Sequence, residues 1–124
     1  MKVGYIRANT IIEQSQQIQI LHEFDCYEYF VEKCDGQFNK EEINKIITLQ
    51  GLKELVIYHI SVLPFDALKS VEFIAFMHRK GVTITSISKA LDIETILALD
   101  ELQRHNRKEK SKAIMMEEEE KKLE

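Results

Sequence analysis

The chain has 124 residues, 44% of them apolar and 31% charged, which is the balance of one globular domain rather than of a disordered or membrane-spanning chain. Seventeen Lys and Arg against 21 Asp and Glu leave a formal charge of −4, the wrong sign for a stand-alone nucleic-acid binder. The excess acid lies in residues 1–100, which carry ten basic and fourteen acidic groups, while residues 101–124 carry seven of each.

The opening run Lys2 to Arg7 alternates apolar and polar residues and predicts a strand. Thr10-Ile11-Ile12-Glu13 fits a capping box, so a helix is expected from there to about Phe24, with Ile11, Ile18, Leu21 and Phe24 on one stripe. Cys26 to Lys33 is aromatic and β-branched, a second strand, and Asp35-Gly36 is a turn. Asn39 with Glu42 repeats the capping logic ahead of a short helix carrying Ile43, Ile46, Ile47 and Leu49, which Gly51 ends. Glu54 to Ile60 is nearly continuous apolar sequence, as expected of a central strand buried on both faces.

Pro64, the only proline, suits the first position of a third helix that runs to about Lys80, where Gly81 stops it. Val82 to Ile87 is a fourth strand. Asp92 or Thr95 then caps a last helix with Ile96, Leu97, Leu99 and Leu102 as its apolar positions. The apolar stripe vanishes after Leu102, so residues 1–102 read as the folded α/β domain and 103–124 as a charged extension, helical or disordered. The alternation of strand and helix calls for a mostly parallel central sheet with helices on both faces, and places chemistry at the carboxyl ends of the strands. Those ends are Arg7 to Thr10 and Ser61 to Asp66.

Several chemistries are missing from both loops. No glycine-rich phosphate cradle follows the first strand, and neither loop carries a pair of carboxylates. Cys26 and Cys34 flank a strand that separates them by on the order of 25 Å, too far for one zinc or one disulfide. Neither a cofactor nor a metal is expected, and His59 and His78 read as packing or surface residues. No run reaches 18 apolar residues and the start has no long apolar segment, so the sequence reads as a cytoplasmic chain with reduced thiols and no membrane contact.

The opening Gly4-Tyr5-Ile6-Arg7-Ala8-Asn9-Thr10, the glutamine-rich first helix, Phe30-Val31-Glu32-Lys33-Cys34-Asp35-Gly36, the run from Glu54 to Phe65 and His78-Arg79-Lys80-Gly81 follow one another in order. Together they resemble the catalytic domain of serine recombinases, the resolvase and DNA-invertase family, over about residues 1–95. The resemblance implies a resolvase-like three-layer fold with a long C-terminal helix used for dimer contact.

It also exposes departures. The family's nucleophilic serine stands two residues after the arginine; Arg7 is kept, but Asn9 holds the serine position. A carboxamide nitrogen is delocalised and yields no proton to a base, so it does not form the phosphoester that strand exchange requires. Where the family reads Leu-Asp-Arg-Leu-Gly-Arg-Ser, this chain reads Ile60-Ser61-Val62-Leu63-Pro64-Phe65-Asp66. Ser61 thus takes the aspartate position, and Val62 and Phe65 take the two arginine positions. A further family arginine aligns with Lys40, a point charge without the planar fork. Each missing electrostatic donor removes about 3–4 kcal/mol of transition-state stabilisation.

The resemblance therefore implies a domain without functional catalytic residues, paired with itself or with a recombinase through its last helix, and with DNA at most a weak partner. The family's helix-turn-helix reader has no counterpart within the 124 residues. The competing expectation is an active recombinase or nicking enzyme built on a different nucleophile.

Overall fold

The computed structural model describes residues 1–32 and 39–107. Among the described residues four strands, β1 (Lys2–Arg7), β2 (Glu28–Glu32), β3 (Glu54–Ile57) and β4 (Thr83–Ser86), alternate with helices α1 (Ile11–His22), α2 (Glu41–Ile47) and α3 (Ala67–Arg79). A fourth helix, α4, runs from 93 to 107, the last described residue of that segment. The sheet order is β2-β1-β3-β4 and all three pairings are parallel. This is the three-layer α/β architecture that the strand–helix alternation predicts.

Alternation along β1 separates two cores. Val3 and Tyr5 face one side and pack with Leu55, Ile57, Ile43, Ile46, Phe73 and Ile96, so α2, α3 and α4 cover that face. Gly4 and Ile6 point the other way, where Ile6, Leu21 and Val56 form a smaller core under α1. The central strand β3 is buried on both faces: Leu55, Val56 and Ile57 are fully enclosed. Gly4 is required by proximity, because a Cβ there would stand 2.7 Å from Leu21 Cδ2 and 2.9 Å from Tyr29 Cδ1. Leu21 has no exposed surface into which to retreat. Gly4→Ala is expected to lower the unfolding free energy by about 1–3 kcal/mol, read as a fall in the urea midpoint at unchanged slope.

Element ends depart from the sequence expectation where a partner distant in the chain decides them. Ile11 does not join the α1 stripe; it is 81% exposed, because the apolar face of this short helix begins only near Ile18. Pro64 does not start α3. A 3₁₀ turn over Ile60–Val62 intervenes, and Asp66 caps α3 by accepting from the Lys69 amide at 2.8 Å. Asn39 does accept from the Glu41 amide at 3.1 Å, but the amides of Glu42 and Ile43 donate to the Glu32 carboxylate, at 2.9 and 3.1 Å. The α2 cap is thus supplied across the fold by β2. Gly81, at φ +86°, ends α3 in the left-handed region as expected. Asp92 caps α4, accepting from the Thr95 amide at 3.2 Å and the Thr95 hydroxyl at 2.8 Å. Those two bonds hold its carboxyl below the usual aspartate range.

Beyond Leu102 ionic contacts carry α4. Arg104 reaches Asp100 at 3.2 Å, Asp100 reaches Arg79 of α3 at 2.7 Å, and Arg107 pairs with Glu72 of α3. The Asp35-Gly36 turn, Cys34 and residues 108–124 of the charged extension lie outside the described residues. Cys26 is a free thiol, and burial pushes its pKa up. No described helix is long and apolar enough to cross a membrane.

Candidate functional site

In the order β2-β1-β3-β4 successive connections leave β1 in opposite directions, so a crevice opens at the carboxyl ends of β1 and β3. Tyr5 lies opposite Ile57, which brings the residues after Arg7 and those after Tyr58 to the same edge of the sheet. Arg7, Asn9, Ser61, Val62 and Phe65 follow from those two strands and Lys40 meets Phe65, but their side chains divide into separate settings.

Arg7 closes β1, half-buried and level with Glu32 across the β1–β2 pairing. Its carbonyl accepts from Gln17 Nε2 at 3.1 Å. Asn9 is exposed, and its amide donates to the Glu13 carboxylate at 3.1 Å, while Thr10 Oγ1 accepts from the Glu13 amide at 3.1 Å. Glu13 therefore closes the predicted capping box on Asn9 rather than on Thr10 itself. The loop that presents Asn9 is locked at the start of α1, and Thr10 is spent as its cap.

Across the edge, Val62 is turned into the main core, 7% exposed, and cannot meet a ligand. Phe65 is half-buried with its ring 5.3 Å from that of Phe73, tilted by 41°. Lys40 Nζ stands 5.5 Å from the centre of the Phe65 ring. The structure thus brings Lys40 and Phe65 together. Ser61 and Phe65 share a largely apolar cavity of about 470 Å³ under the 3₁₀ turn. Lys40 and Phe65 also line a cleft of about 400 Å³ between α3 and α4. Arg7 and Asn9 line neither.

The sequence reading missed His59. Its Nδ1 accepts from the Ser61 amide at 3.1 Å and lies 2.8 Å from Ser61 Oγ. With the amide directed at its one lone pair, Nδ1 is shared between the Ser61 amide and the Ser61 hydroxyl. The signal present in the sequence was the spacing His-x-Ser directly after a buried strand, where a side-chain acceptor caps the turn. Among the described residues no three His, Cys, Asp or Glu side chains group as metal ligands.

The all-parallel sheet, the helices on both faces and the edge formed by β1 and β3 define a doubly wound α/β domain. Its fold is that of the serine recombinase catalytic domain. The chain is similar to the C-terminal catalytic domain of ISC1926 TnpA, an IS607-like serine recombinase, at TM-score 0.59 and 16% identity, over 82% of this chain and 78% of that one. It is also similar to the N-terminal catalytic domain of TP901-1 integrase, at TM-score 0.61 and 15% identity, over 87% of this chain and 98% of that one. No protein-family model matches the sequence. No curated protein matches it either.

Proposed function

We propose that this domain keeps the recombinase fold without the strand-cleaving chemistry, and serves as a cytoplasmic interaction or regulatory module in DNA recombination. It pairs with itself or with a recombinase through its last helix. The observation that carries this reading is the setting of the edge residues. Asn9 offers a carboxamide, Val62 is sunk in the core, and Phe65 is packed on Phe73. Asn9 has no hydroxyl with which to form a phosphoester, and Val62 and Phe65 offer no donor to stabilise charge on a phosphoryl group in transfer. The exposed Leu99 and Leu102, 43% and 56% accessible on α4, support association through that helix.

A second reading is favoured by His59 and Ser61: an imidazole acceptor at 2.8 Å from an exposed hydroxyl is the pairing that activates a serine. One experiment decides between the two. The purified chain is incubated with supercoiled plasmid, and nicked product and covalent protein–DNA adduct are measured. The expected result is neither, and Asn9→Ser stays inactive because Val62 and Phe65 still occupy the arginine positions. An adduct that disappears in Ser61→Ala establishes the second reading and ends the first. The association claim is checked by solution mass: a strictly monomeric full chain that binds no recombinase removes it.

A further inference from the structure

We propose that the cleft between α3 and α4 binds a nucleoside phosphate, with the base on an aromatic wall and the phosphate between Lys40 and Lys69. The inference concerns a ligand and not strand cleavage, so it stands or falls independently of the reading above.

The cleft, about 400 Å³, falls within the range of small-ligand sites. Its wall is aromatic. Phe73 forms the floor, Phe65 packs against it at 5.3 Å, and Phe76 presents 45% of its surface. Lys80 Nζ stands 5.2 Å from the centre of the Phe76 ring, so a cation meets one face of that ring while much of its surface stays exposed, and a planar base is the natural complement to exposed ring surface.

The charge points the same way. Four cationic side chains, Lys40, Lys69, Arg104 and Arg107, line the cleft with only two carboxylates, Glu72 and Asp100, in a chain whose net charge is −4. Both carboxylates are already answered: Glu72 by Arg107, and Asp100 by Arg79 and Arg104. Neither Lys40 nor Lys69 has a carboxylate within ion-pair distance among the described residues, and Lys40 is held over the Phe65 ring at 5.5 Å. A cleft that combines surplus ammonium groups with exposed ring surface selects an anion attached to an aromatic system. Stacking on a phenylalanine ring accepts any base, because every base has a π-face.

The test is calorimetric titration of the full chain with ADP in the absence of divalent metal, beside adenosine and ribose 5-phosphate. ADP is expected to bind at least about tenfold more tightly than either fragment. Lys40→Ala/Lys69→Ala is expected to weaken ADP about tenfold or more, and Phe76→Ser several-fold, with circular dichroism showing both variants folded. Absence of ADP binding at millimolar concentration by the unaltered chain overturns the proposal. Equal affinity in the double lysine variant, or equal affinity for ribose 5-phosphate and ADP, does the same. A short single-stranded oligonucleotide that displaces ADP and binds more tightly assigns the cleft to nucleic acid, and the free-nucleotide proposal falls.

Discussion

Glu32→Ala is expected to remove about 3–5 kcal/mol of unfolding free energy. Glu32 is 2% exposed, yet its carboxylate accepts from the Tyr5 hydroxyl at 2.9 Å and from the amides of Glu42 and Ile43 at 2.9 and 3.1 Å. Hydrogen bonds to a charged acceptor contribute about 1.5–3 kcal/mol each, and alanine takes this acceptor from two buried donors and one part-buried donor. Relief of the desolvated carboxylate offsets part of that sum, which brings the expectation below the simple total. The negative charge also sits against the first turn of α2, where a helix favours it.

The effect reaches the candidate site. Residue 40 is the N-cap of α2 and makes no side-chain cap of its own. The position of Lys40 over Phe65 therefore depends on a helix start that Glu32 holds. Urea denaturation checks the stability claim, with Tyr5→Phe and the double variant closing a cycle. The coupling between the two is expected to exceed about 0.5 kcal/mol, since they share one bond. A Glu32→Ala variant within about 1 kcal/mol of the unaltered chain shows that the carboxylate does not hold the helix.

Much of this fold is legible in short-range sequence. The alternation in Lys2–Arg7 gave its strand to the residue, and the apolar run after Glu54 marked the buried centre. The starts of α2 and α3 were not legible, for a physical reason. A cap read from sequence assumes that the acceptor is nearby, but Glu32 stands ten residues before Glu42 on another element. Pro64 is compatible with a helix start, and the 3₁₀ turn capped by His59 displaced that start to Asp66.

The candidate site divided in the same way. That Asn9 and Ser61 approach one sheet edge follows from strand order and resemblance alone. That Val62 is core, that Phe65 packs on Phe73 and that His59 meets Ser61 are side-chain outcomes of the turn after β3. No spacing rule encodes them.

The ion cluster on α4 yields the second large expectation, and its content is an asymmetry. Asp100 is 1% exposed, and its carboxylate is held by Arg79 Nη1 at 2.7 Å and Arg104 Nε at 3.2 Å. The side chains of Arg79 and Arg104 keep 35% and 56% of their surface in solvent. Removing the carboxylate therefore leaves two guanidinium groups that water can still satisfy, and Asp100→Asn should lose only about 1–2 kcal/mol. Removing both cations leaves a charge stranded in the interface, and Arg79→Met/Arg104→Met should lose about 3–5 kcal/mol.

Methionine keeps most of the apolar stem, so the difference reports charge rather than packing. Arg79→Met alone should fall between the two, because Arg104 still reaches the same oxygen. Equilibrium denaturation of the three variants measures the order directly. If Asp100→Asn proves as damaging as the double arginine variant, the carboxylate organises the α3–α4 contact by shape and hydrogen bonding rather than as a buried charge awaiting its counterions. In that case Arg104, the one arginine on Asp100 that also lines the nucleotide cleft, is free to turn toward a bound phosphate, and the affinity of the cleft should rise in Asp100→Asn.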